Sequence, residues 1–331
     1  MKHAEAVMGS GAAMGDGSKR TVYYGKGDVW VYRTYAKSLA VPPIPESAFT
    51  GKDNVLFGMN IKVAVSGEAF LPSFTEGDNS AVVATDSMKN FILRHAGSYE
   101  GATAEGFMAY AARCFLEKYP QMSGVRMEAR QIPFDALPVP QADGPPQPGS
   151  LVYRYSNNAS PTAVVELVRG ADDSIAVSVQ QSGVTGLKLI KVKGSSFTGY
   201  VRDEYTTLAE ASDRPLFIFL DIHWRYGKAA DAFDADQGRY APAEQVHDIA
   251  AAVFHEMNSP SIQNLIWHIG RRILQRFPQL EEVWFESNNR TWDTVLEAVE
   301  NGNGKVFTEP RPPYGFQGFS LTRADIRDLE E

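Results

Sequence analysis

The amino-acid sequence predicts an α+β chain, with antiparallel sheets covered by helices on one face. Three observations carry that expectation. Several runs alternate β-branched or aromatic residues with polar ones, Val29 to Tyr35 (VWVYRTY) being the clearest, and that is the period of a half-buried strand. Others repeat apolar residues at intervals of three and four, as Phe107, Tyr110, Ala111, Cys114 and Phe115 do, which is the period of an amphipathic helix. Both halves of the chain also show one plan, strand pair, small polar loop, strand, long helix, strand, on either side of a proline-rich divider. No residue-level repeat accompanies this duplication.

Length and composition bound the rest. A chain of 331 residues carries a prior of roughly two domains, and 44% apolar with 22% charged residues is ordinary for a soluble globular protein. The net charge of -8 leaves no basic excess to displace counterions from phosphates, which argues against nucleic acid and anionic membranes as partners. Cys114 is the single cysteine; it excludes an internal disulfide and fits a reducing compartment, by default the cytoplasm. No run approaches the roughly 20 apolar residues of a membrane span. Residues 1–20 are rich in glycine and small residues, without the apolar block of a signal peptide, and read as a flexible tail.

After the first strand, Asn54 to Phe70 reads as a second, long strand with a bend at Gly58. A short apolar strand then ends in Ala84-Thr85-Asp86-Ser87, which places Thr85 or Asp86 at the start of a helix carrying Met88, Phe91, Ile92 and His95. A long helix is expected from Thr103, with Cys114 as a core thiol on its apolar stripe, and strand alternation resumes from Gly124 to Phe134. Leu137 to Gly149 (LPVPQADGPPQPG) admits neither helix nor central strand, and reads as a linker or excursion. Ser174 to Lys193 reads as strand, turn, strand, and Leu216 to Tyr226 as a further strand. A helical region from about Ala243 to Phe277 is interrupted at Asn258-Ser259-Pro260, with Ser259 as the expected cap and Pro260 at the first helical position. Val283 to Glu286 is a strand followed by the polar run Ser287-Asn288-Asn289-Arg290-Thr291, and Gln317 to Leu321 closes the chain.

One stretch fits neither period. Phe197 to Arg214 (FTGYVRDEYTTLAEASDR) packs a ring, hydroxyls and charges with almost no aliphatic residue, which predicts a shaped loop. Arg214 stands directly before Pro215 and the apolar run Leu216 to Leu220, so its guanidinium is expected at the mouth of a buried strand. Familiar chemistries fall away. His255-Glu256 lacks a histidine three residues beyond the glutamate, there is no cysteine pair for zinc, and neither a phosphate loop nor GxGxxG nor GxSxG occurs. An enzyme built on this chain is expected to work without metal, flavin or nicotinamide.

Five strings then coincide. Tyr24-Gly25-Lys26, Val83-Ala84-Thr85-Asp86-Ser87, Phe197 through Arg214, Asn258 to Gln263 and Asn289 resemble, in order and spacing, the signature segments of the urate oxidase (uricase) family. The resemblance spans about residues 22 to 325. It implies a tunnelling fold (T-fold), two tandem antiparallel ββααββ-type units, here 21–136 and 151–325, with a linker over 137–150 and a tail over 326–331. Four subunits would form a barrel with active sites shared across interfaces, Lys26 and Thr85 arriving from one chain and Phe197, Arg214, Gln263 and Asn289 from its neighbour. It further implies oxidation of urate by dioxygen without a cofactor.

The residue types suit that implication. Phe197 can stack on a flat electron-rich anion, while Arg214 offers a two-pronged donor that lysine lacks. Gln263 supplies both a donor and an acceptor, and the backbone amides of Asp86 and Ile262 are further donors. Lys26 and Thr85 would relay a proton, and Asn289 would hold dioxygen. Where many relatives carry a histidine two residues after that asparagine, this chain has Thr291 as the possible relay end, with His223 and His255 matching by residue type alone. Read singly, these residues also fit a solvated lysine, a capping threonine, a surface glutamine and a turn asparagine. Other purine or pterin enzymes of the same superfamily, and a non-catalytic purine-binding scaffold, are the alternatives.

Overall fold

The computed structural model describes residues 20–156, 158–290, 294–296, 298–300, 304–308 and 312–327. Eight strands form one sheet, and their order in space is their order in sequence. They are β1 (Tyr23–Thr34), β2 (Leu56–Ser66), β3 (Gly124–Gln131), β4 (Ser160–Arg169), β5 (Ile175–Lys191), β6 (Leu216–Tyr226), β7 (Leu280–Arg290) and β8 (Tyr314–Thr322). Every neighbouring pair is antiparallel. Helices α1 (Thr85–Ser98) and α2 (Ala104–Lys118) join β2 to β3; α3 (Ala243–Glu256) and α4 (Ile262–Arg276) join β6 to β7.

Strand alternation decides which face the helices cover. Phe57, Met59, Ile61, Val63 and Val65 of β2 are buried in one cluster with Met88 and Ile92 of α1 and Phe107, Ala111 and Phe115 of α2. The residues between them face the other way, where Lys62 pairs with Glu128 at 3.6 Å and Arg126 with Glu166 at 3.3 Å across adjacent strands. A second cluster joins Ile218, Leu220, Ile222 and Trp224 of β6 to Val246 and Val253 of α3 and to the α4 stripe Ile262, Leu265, Ile266, Ile269 and Ile273. Each buried Val, Leu, Ile, Met or Phe side chain among them contributes about 1.5–3 kcal/mol on burial.

Several local expectations are corrected. The proline-rich stretch is the outer part of a hairpin, Phe134–Val139 against Gln147–Tyr155, and β3 and β4 on either side of it are sheet neighbours. Proline is tolerated there because a two-stranded ribbon has only edges. The expected strand-turn-strand at 174–193 is the single long strand β5. Gly186, at φ 73, lies where the register with β6 shifts between Leu220 and Ile222, so the chain bends without reversing. The two halves do not form separate main sheets, because β4 and β5 pair and make one surface. The stretch 81–84 is turn and coil, not strand. Strand β7 continues through Asn289 and Arg290, past the strand end expected at Glu286, because its backbone pairs with β6 and β8 on both sides. Residues 326 and 327, assigned to a tail, close a short helix, Arg323–Arg327. Apart from Arg20, the expected N-terminal tail lies outside the described residues.

Candidate functional site

The sequence-predicted residues gather in two places. The first is where β1 meets the start of α1. Helix α1 begins at Thr85, and its N-cap is Ala84, which makes no side-chain cap. Thr85 is therefore not a capping residue, and its hydroxyl has no hydrogen bond among the described residues. The first intrahelical amide is that of Met88, bonded to the Ala84 carbonyl at 3.2 Å, which leaves the amides of Thr85 and Asp86 without a helical partner. The Asp86 side chain is engaged locally, accepting from Lys89 at 2.6 Å and Asn90 at 3.0 Å. Its carboxyl is held below the usual range chiefly by the Lys89 hydrogen bond, with the positive charge of Lys26 as the weakest contributor. Lys26 itself, half-buried on β1, forms no hydrogen bond or ion pair among the described residues.

The second place is built from four separate segments. Ser195 and Ser259 form a parallel bridge, with the Ser196 amide on the Ser259 carbonyl at 2.9 Å and the Ser259 amide on Gly194 at 3.1 Å. Ser259 is consequently buried and does not cap α4; that role falls to Ser261, which accepts from the Asn264 amide at 3.1 Å. Gln263 then lies exposed in the first turn, as expected. Phe197 is bridged to Ala211 by two backbone hydrogen bonds of 2.8 and 3.1 Å, and the Arg214 amide bonds the Ser195 carbonyl at 2.8 Å. These bonds, rather than the exposed 202–208 segment, set the separation of Phe197 and Arg214.

The guanidinium carbon of Arg214 stands 5.5 Å from the centre of the Phe197 ring. Its Nε is buried without a hydrogen-bond partner, and burial pulls its pKa down, with Tyr200 opposing. A buried guanidinium N–H with no acceptor costs on the order of 1–3 kcal/mol, so this geometry favours an acceptor arriving from outside the chain. Asn289 sits near the same end of β7, opposite Ile218 of β6, with Gln317 Nε2 donating to its Oδ1 at 3.4 Å. Thr291 lies outside the described residues. His223 is on β6 opposite Trp284, five residues along β7 from Asn289, so it is not placed beside it.

Strand register shows how far apart the two places are. Lys26 is level with Val63, Met127, Val165 and Gln180 in successive strands. Two residues on, Ser182 pairs with Trp224, near the far end of β6 from Leu216. Four strands separate β1 from β6, and the offset along β6 adds roughly 30 Å at 3.3–3.4 Å per residue. Within one chain the two clusters stand at opposite ends of the sheet.

Two residues that sequence reasoning did not single out belong here. Tyr200 stacks on Phe197 at 4.8 Å and 14°, and Tyr24 is bound to Val83. Both lie inside recognisable strings, but only the folded contacts separate them from neighbouring aromatics. Among the described residues no group of three or more His, Cys, Asp or Glu side chains is placed to hold a metal ion, and no helix is long and apolar enough to cross a membrane.

Comparison with known proteins shows the family. The family described as uricase matches residues 22–166 and 180–317. The uricase of Haloferax volcanii is 56% identical over 305 residues, 92% of this chain and 98% of that protein. The uric acid degradation bifunctional protein of Bacillus sp. TB-90 is 51% identical over 319 residues, 96% of this chain; the match spans only 63% of that longer protein. The crystal structure of a uricase from Bacillus fastidious superposes with a TM-score of 0.90 at 56% identity, covering 94% of this chain and 97% of that one. Urate oxidase from Bacillus sp. TB-90 gives 0.88 at 52%, covering 91% and 100%. With a family match over most of its length, and relatives and structures alike over nearly all of it, the chain belongs to the uricase family.

Proposed function

We propose that this protein oxidises urate with dioxygen and water to 5-hydroxyisourate and hydrogen peroxide, without a cofactor. The observation that carries the reading is the buried, unpartnered Nε of Arg214, whose guanidinium lies beside the Phe197 ring, on a chain of this family. Phe197 would stack on the purine while Arg214 donates two parallel bonds to its edge. Gln263 and the amides of Asp86 and Ile262 would complete the in-plane contacts.

Electron transfer to dioxygen needs the urate dianion, so a second proton must leave. Thr85 alone is too weak a base; Lys26 beside it would take the proton onward. Asn289 would orient dioxygen and later water over the ring, and Thr291 would end the relay. Because Lys26 with Thr85 and Phe197 with Arg214 lie at opposite ends of one sheet, the complete site would draw on two chains. In this reading four chains assemble into a barrel of T-fold units. The tandem units would run from β1 to β4 and from β5 to β8, dividing at 170–174 rather than in the proline-rich hairpin. The cytoplasm suits the single cysteine.

The test is to treat the purified protein with a chelator, add urate, and follow its ultraviolet absorbance together with oxygen uptake and peroxide. Equal loss of urate and oxygen with matching peroxide is the expected result. Turnover abolished by the chelator would overturn the cofactor-free mechanism, and binding without turnover would favour a purine-binding scaffold.

A further inference from the structure

We propose that Tyr24 is a positioning residue that sets the distance between Lys26 and Thr85. The inference rests on the relay reading of that pair. Tyr24 precedes Lys26 by two positions on β1, so the two side chains leave the same face of the strand, and the register shift in β1 comes only after Lys26. The Tyr24 hydroxyl accepts from the Val83 amide at 2.7 Å and donates to the Val83 carbonyl at 3.1 Å. One hydroxyl therefore engages both backbone groups of the residue two positions before Thr85.

Among the described residues no other hydrogen bond joins this entry to the strand that carries Lys26; the remaining ties are apolar burial of Val83 with Val29 and Val31, and Arg33 of β1 donating to the Ala96 carbonyl at the far end of α1 at 2.8 Å. Residues 81–84 are turn and coil, and Ala84 gives α1 no side-chain cap. The remaining bonds of the segment are a turn from the Val82 amide to Asn79 at 3.0 Å, one from Gln121 to the Ala81 carbonyl at 3.1 Å and the first helical bond from the Met88 amide to the Ala84 carbonyl at 3.2 Å. None reaches β1. The Tyr24 ring packs edge-on against the buried Phe70, centroids 5.0 Å apart, a contact that does not involve the hydroxyl. Burial raises the pKa of the phenol, which keeps its proton available for the Val83 carbonyl.

Tyr24→Phe keeps the ring and removes only the hydroxyl. Because a misplacement of about 1 Å costs up to ~100-fold in rate, kcat is expected to fall roughly 10- to 100-fold. KM for urate should stay within about twofold, since the Phe197 and Arg214 contacts are untouched. Phe70→Leu serves as the packing control: it disturbs the same ring contact, and is expected to lower the melting temperature while leaving kcat within about twofold of wild type. A kcat for Tyr24→Phe within twofold of wild type overturns the inference. So does a Phe70→Leu variant that loses as much rate, because packing would then explain the effect. Lys26→Ala and Thr85→Ala run alongside. Full activity in both sinks the relay reading itself, whereas their inactivity beside a fully active Tyr24→Phe sinks only the role of the tyrosine.

Discussion

The two clusters of candidate residues differ in how firmly the fold holds them. Around Phe197 and Arg214 the backbone is laced together by five bonds linking residues 194–197 to 211, 214 and 259, and the ring is backed by Tyr200. Around Lys26 and Thr85 the reactive side chains form no hydrogen bond or ion pair among the described residues, and the hydroxyl of Tyr24 ties the helix start to the strand. The difference matches the two tasks proposed for them. A clamp gains affinity by being rigid before the ligand arrives, while a proton relay needs donors and acceptors left uncommitted until the substrate is present.

The sharpest way to break this comparison is to separate the clusters genetically. Lys26→Ala and Arg214→Ala should each reduce turnover by orders of magnitude. When the two variants are unfolded and reassembled together in equal amounts, about a quarter of sites in mixed oligomers should regain both intact clusters if each site spans two chains. Absence of any recovery in verified mixed oligomers would place both clusters of a site on one chain, against the register argument.

A smaller effect is expected from Arg214→Lys, which keeps the charge and loses the fork. Forfeiting one charge-assisted hydrogen bond of about 1.5–3 kcal/mol should lower kcat/KM by roughly 10- to 100-fold. Unchanged steady-state kinetics would remove Arg214 from the clamp. Replacing Phe197 by leucine retains apolar area but not the aromatic face, worth about 0.5–1.5 kcal/mol. The KM for urate should rise roughly 2- to 10-fold, measured by initial rates, with kcat changing less.

The mildest expectation concerns stability. Burial lowers the pKa of His223 below its ordinary value of 6.5, with Asp221 opposing. Below about pH 6.5 the unfolded chain takes up a proton that the folded chain resists. The stability that this group contributes is thus present above that pH and declines as pH falls toward the folded value, by at most about 1.4 kcal/mol per unit. His223→Gln should flatten the fall in urea midpoint between pH 6.5 and 5; an unaltered slope would show that the imidazole does not titrate as its burial implies.

Much of the fold was legible in the chain. The α2 and α4 stripes, the alternation of β1 and β6 and the strand-pair-then-helices plan all follow from local periodicity. The errors fall where a distant partner chose the conformation. Ser259 resembles a cap by its position before Pro260, yet Ser195 claims its backbone and leaves the capping to Ser261. Glycines near 183–186 look like a turn, yet β6 holds Gly186 as a bulge. Asn289 reads as loop until β6 and β8 pair with it.

The site divides in the same way. Phe197, Arg214, Lys26, Thr85 and Gln263 were named because the strings that carry them resemble the signature segments of the uricase family, and their residue types suit a planar anion and a labile proton. That Lys26 and Arg214 sit at opposite ends of one sheet, and that Tyr24 and Tyr200 back them, emerged only from strand register and ring contacts. Local sequence determines helices, strands and chemical capability through short-range sterics and hydrophobic period. Distances between groups nearly two hundred residues apart depend on which strands pair and in what register, and those are decided only when the whole sheet closes over its two buried cores.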